Sequence, residues 1–229
     1  VYVAVAGLYW LLKTLLQRTS TFKKQILISL GLILGSLAWF WGATAYLTAY
    51  GDGVMSYRYD NFMYDGGNSL VTVIKSVLLN PLKALYECVD KEKLTFIART
   101  MLPLLGLPLL TRRFERLVLL IPYILVNLMS DYTYQHDIFF QYTFGSTAFL
   151  FYLVAVNIGD LKIPWLRVAA LAGAALVTAT TFFRVVYPEG EKMTKLYKDY
   201  EGYYQSIGQA LDKIPDDVPV AATTFYTVH

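Results

Sequence analysis

Charge is what this sequence has least of. Lys, Arg, Asp and Glu together make up 16% of its 229 residues, against about 25% in a soluble chain, too little to cover a water-exposed surface of this size. One cysteine, Cys88, excludes an internal disulfide and a cysteine metal cluster, and it reads as a small half-buried residue. The two histidines, His136 and His229, are far apart in sequence. There is no Gly-rich phosphate loop and no nucleophile elbow, so no complete catalytic motif is present. No internal repeat or low-complexity stretch occurs. No basic stripe lies on a soluble segment, which argues against a nucleic-acid partner.

What the chain does have is apolar and aromatic: 56% of residues are hydrophobic and 19 are tyrosine. That composition suits a protein solvated by lipid, with Tyr at the membrane–water interfaces. Six apolar segments follow the rule that about 20 residues cross the hydrocarbon core: Val1 to Leu16, Gln25 to Tyr50, Leu94 to Leu110, Leu117 to Met129, Ile138 to Val156 and Ile163 to Tyr187. The expected fold is an all-α polytopic membrane protein, the C-terminal part of a longer polypeptide. Val1 opens inside an apolar run without Met or a basic region, which does not fit a signal peptide, and the far end stops in a strand-like stretch.

Alternate loops are basic: Arg18, Lys23 and Lys24, then Arg112, Arg113 and Arg116, then Lys162 and Arg167. The positive-inside rule places these in the cytoplasm and puts loops 51–93 and 131–137, with the C-terminal tail, outside a multi-pass cytoplasmic membrane. Segment four is the weakest span, because its apolar stretch is short. Pro103, Gly106 and Pro108 make segment three irregular, as a helix beside a cavity can be.

Between the second and third spans, Leu70, Ile74, Val77 and Leu78 share one helical face. Asn80 is placed to cap, Pro81 stands at a favoured first helical position, and Leu82, Leu85 and Val89 continue the apolar face, with Lys83 and Glu87 opposite. Two short helices lying in the outer interface fit this pattern, as does an ordinary amphipathic core helix. The domain boundary falls at 187/188. From Met193 to Ile214 apolar residues recur every three or four positions, predicting one amphipathic helix ended by Pro215. Val218 and Val220 then suggest a strand, together the opening of an extracytoplasmic α/β domain over 188–229.

Two stretches carry candidate binding residues. In GDGVMSYRYDNFMYDGGNS (51–69), Arg58 can hold a phosphate bidentately, while Tyr59 and Asp60 suit a sugar. In DYTYQHDIFFQY (131–142), His136, Gln141 and Tyr142 lie where the fifth span enters the membrane. The same residues also fit an interfacial Tyr belt and a helix cap. Arg99 and Arg184 lie inside spans but near enough to an end to snorkel.

The runs SYRYDNF, LLNPLKAL, MLPLLGLPLLTRRFERLVLLIPYILVNLMSD and QHDIFFQYTFGSTAFLF, with the tail IPDDVPVAATTFYTVH, resemble an uncharacterised prokaryotic family of polytopic membrane proteins known as a domain of unknown function. The likeness covers Tyr57 to His229. That family in turn resembles the C-type (GT-C) glycosyltransferase superfamily. The resemblance implies transfer of a sugar from a polyprenyl-phosphate carrier on the outer face, with interfacial helices in the outer loops. It implies an acidic catalytic residue in an earlier loop, so no catalytic residue is assigned in this chain. A transporter or flippase for a lipid-linked or polar solute, and a non-catalytic scaffold, are the alternatives. No cofactor is evident, and a divalent metal stays open.

Overall fold

The computed structural model describes residues 1–18, 20–51, 55–64, 67 and 69–215. Among them the regular structure is helical, with no strand. Two compact units are present, Val1–Thr181 and Phe182–His229.

The first unit begins with α1 (Tyr2–Gln17) and α2 (Phe22–Tyr50), an antiparallel pair. Gly7 sits at their contact, where an added Cβ would lie 3.1 Å from the Ser29 carbonyl oxygen. Small residues let helix backbones approach closely, and Thr14 and Ser29 in the same seam are buried and donate to the backbone of their own helices. The remainder of α2 meets almost no protein. Leu27, Leu34, Trp39 and Trp41 are all more than 60% exposed. A 29-residue apolar helix with this exposure is long and apolar enough to cross a membrane.

Three helices are long and apolar enough to cross a membrane: Phe22–Tyr50, Gln141–Gly159 and Pro164–Asp199. They coincide with the second, fifth and sixth apolar segments of the sequence. The third and fourth are built differently. Helix α5 (Lys91–Met101) gives way to tight turns in which Leu105 and Gly106 have positive φ, 52° and 65°. Pro103 and Pro108 supply no backbone N–H there, so the ladder cannot continue. Residues 114–120 are a 3₁₀ run and Tyr123–Leu128 a π-type turn, with Pro122 between them.

Despite these breaks, segment four reaches from one end of the fifth to the other, and segment three meets the fifth near the close of its helix. That helix, α6 (Phe144–Gly159), is continued N-terminally by a 3₁₀ turn to a total of 19 residues, about 28 Å at 1.5 Å each. Near its start, Ser146 donates to Asn127 Oδ1 at 2.6 Å. Near its close, Asn157 Nδ2 donates to the carbonyls of Leu107 (2.9 Å) and Pro108 (3.2 Å). There Arg116 Nη1 donates to Asn157 Oδ1 at 2.8 Å and pairs with Asp160 at 2.7 Å, while Arg113 stands 3.5 Å from the same carboxylate. The Arg116 hydrogen bond holds the Asp160 carboxyl below its usual range, against the upward pull of partial burial. Helix α7 (Pro164–Thr181) packs on the break in segment three, where Thr178 donates to the Pro103 carbonyl at 3.1 Å.

The core between these elements holds Phe62, Phe96, Leu104, Leu107, Tyr123, Leu128, Leu150 and Val154. Phe96 stacks on Tyr123 with ring centroids 5.4 Å apart.

Two short helices precede α5: α3 (Leu70–Leu79) and α4 (Pro81–Glu87). Ser69 caps the first by accepting from the Thr72 N–H, and Pro81 begins the second. Asn80 stands at the N-cap of α4, but its side chain makes no capping bond. The face turned inward is Val73, Ser76, Ala84 and Cys88, whereas Ile74, Leu78, Leu82 and Leu85 are exposed.

In the second unit α8 (Tyr187–Asp199) and α9 (Glu201–Leu211) replace the single amphipathic helix expected over 193–214. Tyr200, with φ −106° and ψ 10°, interrupts it. Neither helix buries a residue, and Tyr197 stacks on Tyr204 at 5.4 Å. The strand expected at Val218 to Val220 lies outside the described residues.

Candidate functional site

Two polar regions gather near the Ser146 end of α6. In the first, a 3₁₀ run over Ser56–Phe62 carries Arg58 against the segment 130–142. The Arg58 carbonyl accepts from the Asp131 N–H (2.7 Å) and from Ser130 Oγ (3.3 Å). Its guanidinium carbon lies 4.4 Å from the Tyr132 ring centroid and 5.2 Å from that of Tyr142, two cation–π contacts to rings that meet edge to face. Burial pulls this guanidinium down in pKa, but bonding to Tyr57 and Tyr142 outweighs it and the net shift is upward. Beneath lies a buried network. Asn127 donates to the carbonyls of Gln135 (2.5 Å) and Tyr142 (3.3 Å), and Ser130 donates to the Gln135 side chain.

The structure thus joins Arg58 and Tyr142, which are distant in sequence. Tyr59 turns inward, its hydroxyl donating to the Leu125 carbonyl at 3.2 Å, and burial raises its pKa. Asp60 and Gln141 are exposed. His136 belongs to the second region.

That region is a cavity of about 440 Å³ lined by α5 and by residues 133–138. Lys91, Glu92, Thr95 and Arg99 come from α5, and Thr133, His136 and Asp137 face them. His136 is buried, and its Nε2 stands 3.6 Å from Glu92 Oε2. Its Nδ1 is buried with no hydrogen-bond partner, a group that a bound molecule or water would normally satisfy. The lining carries two cations, Lys91 and Arg99, and two carboxylates, Glu92 and Asp137. A bound phosphate would take charge-assisted hydrogen bonds from Lys91 and Arg99.

Lys93 anchors the start of α5. It is 2% exposed; its Nζ donates to the Glu87 carbonyl at 2.6 Å and pairs with Asp90 at 3.4 Å. Asp90 caps the helix by accepting from the Lys93 N–H at 2.7 Å. Burial alone would raise the Asp90 carboxyl; the bonds and charge of Lys93 outweigh it and hold it below the usual range.

Glu92, Lys91 and Thr133 were not singled out in the sequence, and Arg99 read as a snorkelling side chain. A signal existed: Glu92, Thr95 and Arg99, at i, i+3 and i+7, share one face of α5. Among the described residues no three His, Cys, Asp or Glu side chains gather to hold a metal ion.

The family described as predicted membrane protein (DUF2079) matches residues 1–225. No curated protein and no solved structure matches the chain.

Proposed function

The chain belongs to the DUF2079 family of predicted membrane proteins, and from that premise we propose that the cavity between α5 and residues 133–138 binds the phosphorylated head of a lipid-linked sugar for transfer on the outer face of the cytoplasmic membrane. The observation that carries this is the pairing of two cations, Lys91 and Arg99, with the Glu92–His136 pair in one cavity. Phosphate recognition needs the first; taking a proton from a hydroxyl needs the second.

In the transfer, the acceptor oxygen forms a bond to the sugar's anomeric carbon as the carbon–oxygen bond to phosphate breaks. The lipid phosphate leaves with the electron pair, steadied by Lys91 and Arg99. The acceptor proton passes to the Glu92–His136 pair. Polyprenyl-phosphate sugar is the donor class that a GT-C-like membrane enzyme would use.

The membrane frame supports this placement. Counting the irregular segments 94–110 and 117–129 as spans, the chain crosses six times. The Arg113–Arg116 end then faces the cytoplasm by the positive-inside rule. The cavity lies at the opposite end, on the helix that follows α3 and α4 in the chain. Their exposed Ile74, Leu78, Leu82 and Leu85 lie in the outer interface. Residues 188–229 open an extracytoplasmic domain.

The test is binding of polyprenyl phosphate, with unphosphorylated polyprenol as control, to the protein in lipid nanodiscs. Wild type should retain the phosphate and not the alcohol, and Arg99→Gln should lose about tenfold or more in affinity, the value of one charge-assisted hydrogen bond. Equal retention of phosphate and alcohol, or an Arg99→Gln protein that binds as wild type, would rule out the cavity as the phosphate site.

A further inference from the structure

Four buried side-chain polar atoms lack a hydrogen-bond partner among the described residues, and three of them belong to one short stretch: Arg58 Nε, Asn61 Oδ1 and Tyr64 OH. Two of these three face α4. Asn61 Nδ2 lies 3.5 Å from Glu87 Oε2, and the Lys83 ammonium caps the Tyr64 ring at 3.4 Å from its centroid. Burial raises the Tyr64 hydroxyl's pKa, with the Glu87 charge adding to it, so it stays a neutral donor and acceptor.

Native interiors rarely leave such groups unmet, and concentrated exceptions point to an absent water or ligand. The set contains an amide oxygen, a phenol, a carboxylate and an ammonium. Its unpartnered atoms, Asn61 Oδ1 and Tyr64 OH, are both uncharged and call for a neutral polar group. A hydroxyl both donates and accepts, which matches each of the four. Lys83 and Glu87 stand four residues apart on α4, opposite the exposed Leu82 and Leu85 face, so the cluster opens away from the lipid side of that helix.

We infer that Asn61, Tyr64, Lys83 and Glu87 form a saccharide subsite separate from the phosphate cavity. Lys93 stands between the two: it holds the Glu87 carbonyl, and its neighbours Lys91 and Glu92 line the cavity. The cluster therefore binds the hydroxyl-bearing acceptor while the cavity binds the donor's phosphate. The acceptor role rests on the transferase reading; saccharide binding does not.

Saturation-transfer NMR on the full chain in nanodiscs, with methyl α-glucopyranoside, methyl α-mannopyranoside and N-acetylglucosamine as probes, tests this directly. Transfer to at least one probe is expected. Tyr64→Phe and the surface change Lys83→Gln should each weaken that binding about tenfold, as loss of one hydrogen-bond partner does. Arg99→Gln should leave it intact. No transfer to any of the three, or transfer that survives both Tyr64→Phe and Lys83→Gln, overturns the subsite. Loss of the signal in Arg99→Gln overturns its separateness. If instead the phosphate cavity fails its own binding test while the saccharide signal obeys Tyr64→Phe, the subsite stands without the acceptor role.

Discussion

The two ends of α6 are both polar, and they are polar in opposite ways. At the Gly159 end, Arg116, Asn157 and Asp160 satisfy one another and three backbone carbonyls, and no buried polar atom there lacks a partner among the described residues. The other end holds the four unpartnered atoms, at His136 and in the stretch 58–64. A closed network holds elements in place; an open one has valences left for something else. The contrast separates scaffold from site more sharply than counting charged residues does, since both ends carry arginine and carboxylate.

If that distinction is sound, stability and binding should be lost at different ends. The largest loss of stability is expected for Arg116→Ala, which strands Asn157 and leaves Asp160 to water: about 3 kcal/mol, the lower range for breaking a buried pair because Asp160 is half-exposed. Thermal unfolding in detergent should show it as a fall of several degrees, and an unchanged midpoint would remove the scaffold role. Asn127→Leu should follow at roughly 2 kcal/mol, because it unpairs Ser146 and the carbonyls of Gln135 and Tyr142. It tests whether the His136 end rests on its own closed sub-network.

His136→Gln should cost about 1 kcal/mol, less than either of these, because its one ion-pair contact is 3.6 Å from an exposed carboxylate and Gln keeps a polar group in the buried position. Binding of polyprenyl phosphate should nonetheless suffer. A protein that unfolds readily but still binds would invert the comparison.

The smallest effect is in pH. The Asp90 and Asp160 carboxyls both lie below their usual range when folded. Their stabilisation is therefore present above the unfolded value near pH 4 and is lost as pH falls through the folded one. The melting temperature should hold from pH 7 to about pH 4 and drop below it, with a shallower drop in Asp160→Asn.

Much of the membrane character was legible because it depends on composition and on run length. The helix breaker at Pro81 and the irregularity at Pro103, Gly106 and Pro108 were legible too, since proline acts locally. The split at Tyr200 was not, because nothing in the residue types there forbids a continuous helix. Nor was the cavity. Glu92 and His136 are 44 positions apart, and only the fold of 94–136 brings them to 3.6 Å. Arg58 reads as a phosphate ligand by residue type; the two tyrosines whose rings it touches come from another loop, which sequence spacing could not place. Asn80 looked like a cap by type, while the bond that caps this region comes from Ser69, one helix earlier.

The repair of segment three carries a consequence for inheritance. Asn157 sits on a different segment from the carbonyls of Leu107 and Pro108 that its amide accommodates. Losing the kink would strip the Asn157 amide of two acceptors, and losing the asparagine would strip both carbonyls of this donor. The two positions should drift together across relatives. A chain that regains a regular helix at 107–108 is free to carry leucine at 157, and Asn157→Leu should be better tolerated beside Pro108→Ala than alone.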